Sequence, residues 1–298
     1  MKNFYSNFVL TLAIMLMTTT GTFAQIIWNG TPVNYNTTQT ITQTVNITAS
    51  TTVTVASGVT VTISGVISGP NSSFTLTKAG AGKLIFTGAN TYNCATAVSA
   101  GTLQVGNGTS TTATINSTSN VTLANNAILR FEPGRNMQFD RVISGTGGKV
   151  EFKGDSEGYK SLELAACNYT GTTTIESGRL TIWCGSDYSA VLGNIINNGE
   201  LLLDTYDAYS YNGIISGTGS VTHNTMVESP HGHAGCPLTF TGAHTYEGET
   251  ILHSTLVLAS TGSIANSSAV TIDNYYTPFI VMPIPFTFKT NLMLLSNR

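Results

Sequence analysis

The sequence predicts an all-β chain wound as a parallel β-helix, a solenoid of about three repeats of roughly 75 residues. Three observations carry that prediction. Only 9% of the 298 residues are Asp, Glu, Lys or Arg, where an ordinary globular domain carries about 25%. Thr, Ser and Asn take their place, and these residues favour strands and turns over helix interiors. Short motifs recur in one order, with Tyr92, Tyr169 and Tyr246 spaced 77 and 77. Apolar residues alternate over runs of four to six, as in Lys83-Leu84-Ile85-Phe86 and Thr102-Leu103-Gln104-Val105, between clusters of Gly, Asn and Ser.

From the N-terminus, Lys2 precedes an apolar run over 8–17, and Thr22, Phe23 and Ala24 place small residues at −3 and −1. This pattern is a secretory signal over 1–24, cleaved after Ala24. Ten residues rise only about 15 Å as a helix, half of a hydrocarbon core of about 30 Å. Residues 25–64 read as an N-terminal cap and first coils. The repeats occupy 65–275, at about 25 residues per coil and three coils per unit, so 25–298 makes about eleven coils. Val66-Ile67-Ser68-Gly69 returns as Val142 to Gly145 and Ile214 to Gly217, and Leu103, Leu180 and Leu256 open matching strands. The last segment, 276–298, has no Gly and carries Pro278, Pro283 and Pro285. It reads as an atypical apolar tail, either a cap over the last coil or the product of a truncated gene, because three prolines do not suit a regular coil.

The stretch LTKAGAGKLIFTGANTYNCATAVSAGTLQVG (76–106) resembles the autotransporter-associated β-strand repeat of secreted bacterial surface proteins. Two degenerate copies share its order of motifs and carry the resemblance over 65–260. It implies a right-handed β-helix stalk exported to the cell surface, with no catalytic residue, since the repeat is a structural pattern. Cys94 stands where the family usually has Gly, and the third copy lacks the Lys-x-Gly-x-Gly stretch.

A net charge of −3 without a basic cluster argues against nucleic acid and against an anionic membrane surface as partners. Cys94, Cys167, Cys184 and Cys236 permit disulfides in an oxidising compartment, and their spacing selects none of the three connectivities. All five histidines fall in the window His223 to His253. His231 and His233 would share one side of an extended segment, with Cys236 or His244 as a third ligand, which suits zinc or copper. Glu247 with Glu249 and Asp204 with Asp207 are the acidic pairs that a polysaccharide-cleaving β-helix would need. Tyr206, Tyr209 and Tyr211 offer an aromatic surface for glycans. The first expectation is a non-catalytic, secreted or surface-exposed stalk or adhesin-like passenger, binding host or cell-surface glycans or proteins and needing no cofactor. A β-helix lyase or glycosidase is the second reading, and a metal-dependent binding module using the histidine window is the third.

Overall fold

In a computed structural model the chain is described over residues 24–115, 120–155, 160–185, 191–225, 236–273, 280–281 and 294–297. The signal segment and residues 226–235, which include His231 and His233, lie outside the described residues. All strand pairings among the named strands are parallel, and no helix occurs among the described residues.

The chain winds about eleven turns, each crossing three faces. Face 1 opens with Ile26–Asn29 and Val45–Ala49, face 2 with Val33–Tyr35 and Thr51–Val55, and face 3 with Gln39–Ile41 and Thr60–Ile63. Face 3 runs on as one ladder to Ile215–Ser216, whereas face 2 runs to Val191–Leu192 and resumes as a separate four-stranded sheet from Tyr209–Tyr211. Face 1 passes through extended corner segments, where Thr91 N donates to Ile67 O (2.8 Å) and Gly134 N to Ser110 O (3.0 Å). It then resumes as Met137–Gly145 and Ser161–Tyr169, two long strands that bend from face 1 onto face 2 and join the two faces into one 14-stranded sheet. Register separations between successive turns run from 18 residues (Leu162 to Leu180) to 29 (Val221 to Thr250).

Alternation within each strand sends every second side chain inward. On face 3 these make an apolar ladder of Ile63, Phe86, Val105, Phe131, Phe152 and Ile175, one rung per turn, all fully buried. The ladder ends at Asn197, whose Nδ2 donates to Ser220 O (2.7 Å) and whose Oδ1 accepts from Gly199 N (3.1 Å). A buried amide is tolerated there because both of its ends are paired.

The sequence repeat does not span a whole number of turns, as three coils per unit would require. Tyr92 Oη bonds Thr96 Oγ1 (3.0 Å) at the start of Ala95–Val98, on face 2. Tyr169 bonds Thr173 (2.6 Å) at the start of Thr173–Ser177, on face 3. Tyr246 bonds Thr250 (2.6 Å) at the start of Thr250–Leu252, on face 1. Each step advances three turns and one further face, so the unit is ten strand positions long. The same step carries Thr102–Val105 on face 3 to Arg179–Cys184 on face 1 and then to Leu256–Leu258 on face 2. Residue counting alone missed this because the corners differ in length.

The recurrent motifs are corner devices. In the Val-Ile-Ser-Gly motif, a Cβ on Gly145 (φ +134°) would lie 2.0 Å from Leu123 O, and one on Gly217 (φ +101°) 2.2 Å from Asn197 O. Only glycine fits where one turn passes so close over the next. The motif's isoleucine N–H is met by the following repeat anchor: Ile67 N donates to Asn90 Oδ1 (2.8 Å), and Ile215 N to His244 Nδ1 (3.0 Å). His244 thus does the work of an asparagine. Within 276–298, the described strand Ile280–Val281 pairs with Leu256 and Val257, and Leu294–Asn297 with Val270–Asp273. Pro278, Pro283 and Pro285 lie outside the described residues.

Asn90 also donates to Thr114 O (2.8 Å). Asn90→Leu strands two buried polar groups and should cost about 2–4 kcal/mol, whereas Asn90→His, copying His244, keeps the acceptor and should cost less. Thermal melts of the two variants check this, and equal stability would contradict the corner assignment.

Candidate functional site

The outward positions of face 1 in the later turns form three rows along the axis. Strands Arg179–Cys184, Glu200–Thr205 and Ser220–Thr225 pair residue for residue, and Thr250–Leu252 and Val270–Asp273 extend them. Inward positions are filled by Leu180, Ile182, Leu201, Leu203 and Val221, which fixes the opposite parity as outward. The first row holds Arg179 and Glu200, joined at 2.9 Å. Thr181, Leu202, Thr222, Ile251 and Thr271 make the middle row. Beyond them run Trp183, Asp204 and Asn224, with His253 following Leu252.

Arg179 and Glu200 bound one edge of a groove of about 610 Å³, Leu202, Thr222, Ile251 and Thr271 floor it, and Asn224 and His253 close the other edge. Thr222 is 6% exposed, and its Oγ1 has no hydrogen-bond partner among the described residues. Asp204, in register between Trp183 and Asn224, likewise has a buried Oδ1 without a partner among them. Burial, with a smaller push from Glu163, raises its carboxyl from the ordinary 3.8 to about 6. Buried polar atoms are normally satisfied, so two orphans on adjacent rungs of one surface are unusual.

Of the described residues singled out from the sequence, His253 lines the groove, Asp204 lies in the row beside it, and the others fall elsewhere; His231 and His233 lie outside the described residues. His223 lies inside the solenoid at 1% exposure, its Nε2 within 3.0 Å of Thr205 Oγ1, and burial lowers its pKa to about 4. His244 is also in the core, against Phe240 at 4.1 Å and stacked on Tyr211 at 5.8 Å, and its pKa is likewise lowered to about 4 by burial. Both rings are neutral at pH 7, and among the described residues no group of three His, Cys, Asp or Glu could hold a metal ion. The Cys236 thiol reaches Tyr206 O (3.1 Å). Cys94, Cys167 and Cys184 are buried free thiols, with Cys167 pushed up to about 12 by burial.

Tyr211 is fully buried and donates to Gly193 O (2.8 Å), which takes it out of any exposed aromatic surface, while Tyr206 and Tyr209 are half-buried. Glu247 and Glu249 lie in the corner before Thr250–Leu252 and so share no strand face. Glu247 is exposed, whereas Glu249 accepts from Thr271 Oγ1. Asp207 lies past the end of the strand that carries Asp204. On face 3 a strongly charged cluster is internally satisfied: Arg130 pairs with Glu151 (2.9 Å), Glu176 (2.5 Å) and Glu132 (3.3 Å).

Tandem ten-strand units, wound in parallel around a dry core and bearing a lateral groove, define a repeat-built β-solenoid. The passenger-associated-transport-repeat model matches residues 76–105 and 161–182, so the repeats of this chain belong to the autotransporter passenger repeat family. Over 228 residues, 71% of this chain, the sequence is 32% identical to the adhesin BmaC autotransporter of Brucella suis biovar 1 (strain 1330). Those residues span 6% of that protein's length. No solved structure matches the chain.

The folded Asp204 carboxyl holds its proton more tightly than the unfolded one. Its burden on the fold is therefore absent below about pH 4 and complete above about pH 6. Asp204→Asn should raise stability at pH 7 by about 1 kcal/mol, solvent screening the remainder, and leave it unchanged near pH 3.5. Thermal melts at the two pH values check this, and a loss of stability at pH 7 would contradict the placement of the carboxyl.

Proposed function

We propose that the chain is a non-catalytic, adhesin-like passenger segment of a bacterium, carried to the cell surface or beyond by the signal over 1–24. It binds host or cell-surface glycans or proteins through its outer faces. The observation that carries this reading is the parallel solenoid built from passenger repeats, which spends its repeated residues on corners and core and leaves the outer positions to vary. A relative named as an adhesin supports the same reading. Solenoids of this kind present extended surfaces and bind over them.

An enzymatic reading has one observation in its favour, the raised Asp204 carboxyl beside a groove, since a carboxyl whose pKa is lifted to about 6 can act as a general acid below that pH. The groove's arginine, Arg179, is already engaged with Glu200.

Beads coated with residues 25–298 should adhere to cultured epithelial cells or to bacterial cells at least fivefold above beads coated with an unrelated β-solenoid. Adhesion no better than the control would overturn the proposal. Release of new reducing or unsaturated ends from added polysaccharides, abolished by Asp204→Asn, would replace it with the enzymatic reading.

A further inference from the structure

We infer that the groove on face 1 is a binding site for an uncharged, linear glycan lying along the solenoid axis, with Thr222 as the polar contact on its floor and Asp204, in the row beside Asn224, flanking its edge. This rests on the adhesin reading and names the site and ligand class within it.

The groove pairs two kinds of surface. Leu202 and Ile251 give it an apolar floor, and the polar groups stand along that floor in rows set by strand register. Successive rungs lie about 4.8 Å apart, close to the length of one pyranose ring in a linear chain. A sugar ring presents an apolar face bordered by hydroxyls, each both donor and acceptor. It can lie on Leu202 and Ile251 while meeting acceptors and donors at its rim.

Two orphaned atoms point to a ligand independently of the groove's shape. Thr222 Oγ1 is buried on the floor with no partner among the described residues, and so is Asp204 Oδ1 one row across and one rung back. Each is costly to leave dry, and a hydroxyl-bearing ligand would satisfy both. The charges favour a neutral chain. Arg179 and Glu200 neutralise one another at the groove edge, so the groove's arginine is not set to receive a uronic acid or sulfate. Asp204 would repel such groups. The carboxyl also weakens the fold at neutral pH, and a site that trades stability for a contact is expected where the group has work to do.

Residues 25–298 titrated calorimetrically with mannohexaose, cellohexaose, chitohexaose and, as a charged control, hexagalacturonate should bind at least one neutral hexamer and not the charged one. Asp204→Asn, Thr222→Val and Ile251→Arg should each weaken that binding at least tenfold. Lys149→Ala on face 3, an exposed position, should leave it unchanged. Asp204→Asn is informative because it should bind worse while melting higher, which loss of folding cannot imitate. Binding that survives all three groove variants, or that prefers hexagalacturonate, would overturn the site. Coated beads that adhere to cells although no hexamer binds would overturn the glycan inference and leave the adhesin reading standing. Failure of both assays would remove both.

Discussion

Backbone pairing from turn to turn is the constraint on which this molecule depends. Each strand of a parallel solenoid must meet its N–H and C=O groups with the turn before and the turn after, since no hairpin partner is present. The side chains are then forced into register, and inward positions stack into ladders such as the one from Ile63 to Ile175. Corners receive what the ladder cannot accommodate: a glycine where backbones touch, an amide or imidazole to accept a stray N–H, and a Tyr–Thr hydrogen bond at a strand start.

The ten-strand unit adds a second consequence. Each repeat is turned by one face relative to the last, so equivalent residues never lie above one another in successive units. The three faces must therefore be nearly interchangeable inside, and they are: Leu103 on face 3, Leu180 on face 1 and Leu256 on face 2 are all fully buried. Outside, no such demand exists, and the next positions are Gln104, Thr181 and Val257. Outer surface is thus free to diverge, and a groove can form on one face without being repeated on the others.

Much of the fold was legible because burial is periodic. Runs such as Lys83-Leu84-Ile85-Phe86 became strands with the expected faces inward, and eleven coils were expected and about eleven turns are present. The rotation of the unit was not legible, since 77 residues can hold nine or ten strands depending on corner length, and corner length is set by the structure. The site was mostly hidden for a related reason. Thr222, Leu202 and Ile251 are ordinary residues 20 to 29 positions apart, and only register makes them neighbours. His244 drew notice by its chemical type, yet its ring serves the corner that Asn90 serves one face away.

The ten-strand step is tested most directly by asking which strand lies beside Arg179–Cys184. Register places Thr181 next to Glu163 on face 1, within the Cα separation that a disulfide bridges. A unit of three whole turns would instead keep Thr181 on the face of Gln104, in the stack that contains Glu151. Oxidation of Glu163→Cys/Thr181→Cys, followed by non-reducing peptide mapping, should give the 163–181 cross-link in high yield, while Glu151→Cys/Thr181→Cys should give none. A 151–181 cross-link with no 163–181 product would contradict the rotated repeat.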